Sequence, residues 1–199
     1  MSAMKKNLLI SVWMTIVTTI LLGIVYPLVV TGLAQVLFKD KANGQLISQN
    51  GKVVGSRIIG QAFTGSAYFH SRPSSAGNGY DAANSSASNL GPTNQHLIDR
   101  VKSDVATNQV DHPQDPVPVD LVTTSGSGLD PHISPAAAEF QIERVAKERG
   151  IGEDGLRQLV LKHTEGRQIG FLGEARVNVL ELNLELDQEF PLKRQAEVR

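Results

Sequence analysis

Cysteine is absent from this chain, which excludes disulfide staples, thiolate metal sites and cysteine nucleophiles together. The compartment stays open on this point, since an exported domain needs no bridges when its core suffices. An excess of either charge is missing too: 19 basic residues face 20 acidic ones, for a formal net charge of -1. There is no basic surplus for a nucleic-acid backbone and no acidic tail, so nucleic acid is not an expected partner. The third absence is local. No charged side chain occurs between Asn7 and Phe38.

That uncharged stretch contains LLISVWMTIVTTILLGIVYPLVV. A bilayer's hydrocarbon layer takes about 20 apolar residues in helix, and Leu8 to Val30 meets that length. No later segment is comparable, so the chain is expected to span a membrane once. The rival is a cleaved signal peptide, with Lys5 and Lys6 ahead of the apolar region and Gly32-Leu33-Ala34 as the cleavage site. Signal h-regions run roughly 7 to 15 residues, about half of this one, which favours a retained anchor. Trp13 and Tyr26 suit the two interfaces, and Pro27 suits a kink or the outer end of the helix. Lys5 and Lys6 precede the span and Lys39, Lys41, Lys52 and Arg57 follow it. A positive-inside count would therefore keep the domain in the cytoplasm, but the rule governs short loops and large domains cross regardless of charge.

The plan this gives is a leader at 1–6, a transmembrane helix at 7–33, a linker at 34–44, one soluble domain at 45–190 and a tail at 191–199. About 150 residues beyond the anchor are the size of one ordinary domain. Leu46 to Ser56 predicts a β-hairpin turning at Asn50-Gly51, a dipeptide that tolerates positive φ. Gly65 to Asn94, dense in Gly, Ser, Asn, Ala and Pro, is a long loop, either structured or disordered, with Tyr68, Phe69, Tyr80 and Leu90 spaced to pin it to a core. Leu97 to Val105 predicts a short helix and Val117 to Val122 a short strand. Ser134-Pro135 is an N-cap followed by proline at the first helical position. It opens a predicted helix to Arg149, stopped by Gly150, with Ala138, Ile142, Val145 and Ala146 inside. A second helix from Glu153 would bury Leu156, Leu159, Val160 and His163. Leu180, Leu182, Leu184 and Leu186 alternate with polar residues, the pattern of a half-buried strand. The expected fold class is α+β: one N-terminal transmembrane helix and one mixed α/β domain.

Few of the candidate constellations support chemistry. Ser125-Gly126-Ser127-Gly128 has the outline of a phosphate cradle, because glycines let backbone N–H groups converge on an anion. These four residues are the nucleotide-binding candidates. Against them, no lysine completes a phosphate-loop pattern and Asp130 puts negative charge where phosphate would sit. The histidines at 70, 96, 112, 132 and 163 lack metal-ligand spacing, and no serine lies in G-x-S-x-G. No catalytic residue and no metal ligand is therefore assigned. A membrane-tethered hydrolase using His132 and Asp130, and an extracytoplasmic binding protein using the Gly65 to Asn94 loop, stay as alternatives. Glycines around Phe171 in GRQIGFLGE (166–174) mark either a turn or a backbone approach to a partner. Thr15, Thr19 and Gly23, four apart, offer one small-residue face for helix packing.

Longer motifs are more specific: IGQAF (59–63), YFHSRPS (68–74), SNLGPTN (88–94), VPVDLVTTSGSGLDPHIS (117–134), Gln141 with RVAKERG (144–150), HTEGR (163–167) and GFLGEARVNVLELN (170–183). In this order, behind one anchor, they resemble the KdpC family, one of the subunits of the Kdp-type potassium-transporting P-type ATPase of bacteria, over nearly all of residues 8 to 187. The resemblance implies an accessory subunit without turnover of its own, single-pass in the inner membrane with its domain outside the cytoplasm. It also implies three partners: a channel-like potassium-selective subunit, a P-type ATPase subunit that hydrolyses ATP, and a small single-helix subunit. The resemblance further implies that the chain holds the complex together and acts as a catalytic chaperone raising the ATPase subunit's affinity for ATP; no cofactor is expected to be bound covalently, and ATP is expected through the complex.

Overall fold

The computed structural model describes residues 3–110 and 112–192; the tail expected from 191 onward lies almost wholly outside them. Backbone contacts divide the chain into two compact units, Met1–Leu46 and Ile47–Arg199.

The first unit is helix α1, Ala3–Leu37, long and apolar enough to cross a membrane and with none of its span buried. It runs past both predicted ends, into the leader and the linker. At about 1.5 Å per residue it exceeds a hydrocarbon layer of about 30 Å. The helix widens into a π turn at Leu21–Val25, where the Tyr26 N–H donates to the Leu21 carbonyl. Pro27 explains the position. Proline has no N–H to give and its ring crowds the carbonyl four residues back, and a widened turn relieves both defects. Thr15 Oγ1 donates back to the Ser11 carbonyl at 2.9 Å, and a Cβ on Gly23 would meet only Thr19 Cγ2, at 3.9 Å. A four-residue helix, α2 (Lys39–Ala42), follows α1.

The second unit begins with the expected hairpin. Strands β1 (Leu46–Gln49) and β2 (Lys52–Ser56) pair, and Asn50 (φ +52°) and Gly51 (φ +76°) supply the two positive φ values of a type I′ turn. The segment from Gly65 to Asn94 is ordered without regular structure, and Phe69 at its start is fully buried. Helix α3 (Gln95–Asn108) is longer than predicted because Asn94 caps it, its side chain accepting from the His96 N–H. Val117 to Val122 is not a strand. Residues Val119–Leu121 form a 3₁₀ turn, with Leu121 N–H bonded to the Pro118 carbonyl at 3.0 Å. Pro116 and Pro118 remove two donors that a sheet ladder would need.

A three-stranded antiparallel sheet in the order β3 (His132–Ile133), β5 (Arg176–Asn178), β4 (Thr164–Glu165) carries the rest. The helix predicted from Ser134 to Arg149 is two helices, α4 (Pro135–Phe140) and α5 (Ile142–Arg149), broken at Gln141. Ser134 caps the first, accepting from Ala137 N–H at 3.2 Å. Gly150 ends the second at φ +65°. Helix α6 (Glu153–Lys162) buries Leu156, Leu159 and Val160 as expected. His163, just past its end, is half-buried, with Nε2 2.6 Å from Glu185 Oε2.

The largest departure lies at the C-terminal end. Val179 to Glu189 is helix α7, not a strand. Val179, Leu182, Asn183 and Leu186 are buried at helical spacing, and the leucine alternation coincided with this because Asn183, polar by type, belongs to the core face. Asn178 starts the helix, its side chain accepting from the Glu181 N–H at 3.1 Å. The core lies where α4, α5, α6 and α7 meet the sheet, around Ile133, Ile142, Val145, Leu156, Val177 and Leu182.

Candidate functional site

The SGSG loop meets the Gly65–Asn94 segment. Ser86 N–H and Ser85 Oγ both donate to the Ser127 carbonyl at 3.0 Å. Ser74 Oγ donates to the Gly128 carbonyl at 2.6 Å while accepting from Tyr80 N–H at 2.8 Å. Gly128 is buried at φ +68°, and a Cβ there would stand 2.6 Å from the Ser86 carbonyl oxygen and 2.7 Å from Ala76 N. Only glycine fits. Gly126 is different: it is exposed and has open space around it. Two amides that a phosphate cradle would offer are already engaged, Gly128 N–H on the Ser125 carbonyl at 3.3 Å and Leu129 N–H on Ser127 Oγ at 3.1 Å. The loop leads into β3, and the next helix starts only at Pro135.

Beside this junction, Arg72, Asp120, Asp130, His132, Ser134, Glu174 and Arg176 line a polar cleft of about 310 Å³. Arg72 organises it from the loop. Its guanidinium reaches Asp130 Oδ2 at 3.2 Å and the Thr123 carbonyl at 3.3 Å, and its own carbonyl accepts from the Tyr80 hydroxyl. Asp130 Oδ1 accepts the His132 backbone N–H at 3.0 Å, with His132 Nδ1 at 3.5 Å. Burial pushes the Asp130 carboxyl upward, but the His132 side chain and amide and the Arg72 charge outweigh it and hold the group below the usual carboxylate value. Asp120 Oδ2 takes the Ser134 N–H at 2.8 Å, and the Ser134 hydroxyl is spent on the helix cap. Among the described residues no group of three or more His, Asp or Glu could hold a metal ion. His132 lies in this cleft, whereas His70 and His112 border another cavity together.

A second polar system sews residues 66–70 to the helices. Asn183, 1% exposed, pairs with both backbone groups of Phe69 at 2.9 Å. Gln141 does the same for His70, accepting at 2.7 Å and donating at 3.1 Å. Arg144 donates to the Ser66 and Tyr68 carbonyls. Arg149, its side chain 1% exposed, donates to the Ala67 and Phe190 carbonyls at 2.7 Å, pairs with Asp187 at 2.8 Å and lies 4.8 Å above the Tyr68 ring. Side-chain amides and guanidinia thus take up the backbone groups of a turn at 65–68 and of the irregular residues after it. Sequence alone gives none of Arg72, Gln141, Arg144, Arg149 and Asn183 a role. The signal available was position: Gln141, Arg144 and Arg149 lie on the stretch carrying the core stripe.

The SGSG loop, the polar cleft and the side chains that clamp residues 66–70 fall within a match to the family described as K+-transporting ATPase, c chain, which covers residues 8–188. The chain belongs to the KdpC family. A potassium-transporting ATPase KdpC subunit from Koribacter versatilis (strain Ellin345) is 70% identical, the match covering 95% of this chain and 98% of the relative. One from Rhodospirillum rubrum is 59% identical over 87% of this chain and 91% of its own length. One from Acidobacterium capsulatum is 54% identical over 92% and 98%. KdpC membership agrees with the long apolar helix at the start of the chain.

Proposed function

We propose that this chain is a non-catalytic accessory subunit of a potassium-transporting ATPase, anchored once in the inner membrane with its domain outside the cytoplasm. It assembles and stabilises a complex with a potassium-selective channel-like subunit, an ATP-hydrolysing P-type subunit and a small single-helix subunit. The observation that carries this reading is the state of Asp130. One carboxylate oxygen accepts from Arg72 and the other from the His132 amide, so both oxygens of the group that a hydrolase would need as a base already hold the loop. The Gly128 and Leu129 amides are likewise engaged within the loop. Raised ATP affinity of the ATPase subunit, which the family resemblance implies, is in this reading transmitted through contact between the two proteins and not through a nucleotide held by Ser125, Gly126, Ser127 and Gly128.

The test is affinity purification of the tagged full chain from detergent-solubilised membranes of cells producing the whole complex. The three partner subunits should come with it, and the purified chain alone should neither hydrolyse ATP nor bind it saturably. Recovery of the chain without those subunits, or turnover by the chain alone, would sink the proposal.

A further inference from the structure

Strands β4 and β5 pair at Thr164↔Val177 and Glu165↔Arg176, and the ribbon continues beyond them. Gln168 and Leu172 exchange both backbone hydrogen bonds at 2.9 Å, closing a tip that turns through Ile169 (φ +53°) and Gly170 (φ +82°). A β-branched residue in the left-handed region is a genuine outlier. Ile169 is nevertheless 82% exposed, with Phe171 at 69% and Leu172 at 47%. Folding does not account for this, because none of the three belongs to the core and glycine or asparagine would turn the chain with less strain. Solubility does not either, since polar side chains would serve better. Strain combined with apolar exposure marks a surface made for contact.

We propose that the ribbon tip at residues 166–173 is a docking knob that seats in an apolar pocket of another protein subunit of the potassium-transporting ATPase. This rests on the reading of the chain as a subunit of that complex. Charge on the ribbon selects the occupant. Arg167 is paired with Glu174 at 2.6 Å and Arg176 with Glu165 at 2.9 Å. Each cation that could meet a lipid phosphate thus already has a carboxylate, whereas interfacial lipid binding draws on unpaired Lys and Arg. Three side chains fall far short of the roughly 800 Å² per partner that a stable interface buries, so the tip by itself does not hold two copies of this chain together. A neutral apolar tip on a narrow stem suits one anchor within a wider heteromeric contact.

Incorporating a photoreactive benzoylphenylalanine in place of Phe171 in the full chain, in cells producing the complete complex, reads the occupant directly. Irradiation should give an adduct with another subunit. An adduct with lipid or with a second copy, or no adduct, overturns the assignment. In parallel, Phe171→Asp should lower recovery of partner subunits about tenfold, the scale of losing an apolar anchor, with the chain's thermal unfolding unchanged. Ile169→Gly separates docking from folding, because it relieves the strained φ and removes the side chain together. Its unfolding temperature should hold or rise while recovery still falls. Parental recovery by both variants overturns the knob and leaves the subunit reading standing, whereas absence of partner subunits from the unmutated chain removes that reading itself.

Discussion

His70 is held from three directions. Gln141 takes both of its backbone groups, the Gly65 carbonyl lies 3.0 Å from its Nε2, and Arg144 approaches from α5. Burial depresses the imidazole's pKa and the Arg144 charge adds to this, while the contact with the Gly65 carbonyl opposes both. A histidine depressed in the folded state binds its proton more readily when unfolded. Its contribution is therefore complete above the unfolded value of about 6.5 and is lost as the pH falls through the folded value. Asp130 behaves in the same sense further down, since its depressed carboxyl supports the fold fully above about pH 4 and loses that contribution below. The two windows open at different pH values. Chemical denaturation of the full chain in detergent should show a midpoint that begins to decline as the pH drops below about 6.5, and His70→Gln, which can still donate to the Gly65 carbonyl, should flatten that decline. Parallel profiles for parent and variant would show that His70 carries no linked proton.

At the scale of elements, what was legible in the sequence depended on whether the deciding interaction was local. The hairpin at Asn50-Gly51, the cap at Ser134 and the stop at Gly150 are set by backbone chemistry within a few residues, and each stands where predicted. The interior of α4 and α5, at Ala138, Ile142, Val145 and Ala146, was equally readable. The break at Gln141 was not, because its amide is bonded to His70, 71 residues away in sequence. Helix α7 escapes the sequence pattern for the same reason. Asn183 ranks as polar until its partner, the Phe69 backbone 114 residues distant, is known. Of the candidate site, the SGSG turn could be seen but not what its carbonyls bind, since Ser74, Ser85 and Ser86 lie in a segment with no hydrophobic period. Asn183→Leu tests this account. A strand reading makes leucine there a surface change of little cost, whereas in α7 it strands the Phe69 N–H and carbonyl in the core. The variant should lose about 2–4 kcal/mol of stability, measured by denaturant unfolding, and a loss below about 0.5 kcal/mol would contradict the amide clamp.

For the whole molecule, the side of the membrane on which the domain lies decides which partners and ligands it can reach. Charges near the helix ends point inward, with Lys39 and Lys41 just past α1, yet a domain of about 150 residues crosses largely regardless of such a bias. The proposed function puts the domain on the outside. On that proposal the domain meets potassium on its way into the cell, and the Gly128 and Leu129 amides and the Asp130 carboxylate hold the loop. Protease added to intact spheroplasts should therefore remove the domain and leave a membrane-embedded fragment carrying α1, with a cytoplasmic marker protein uncut. Protection of the domain until the cells are lysed would reverse the topology. It would also put Ser125, Gly126, Ser127 and Gly128 in the compartment that holds ATP, and direct nucleotide contact would then become the reading to test first.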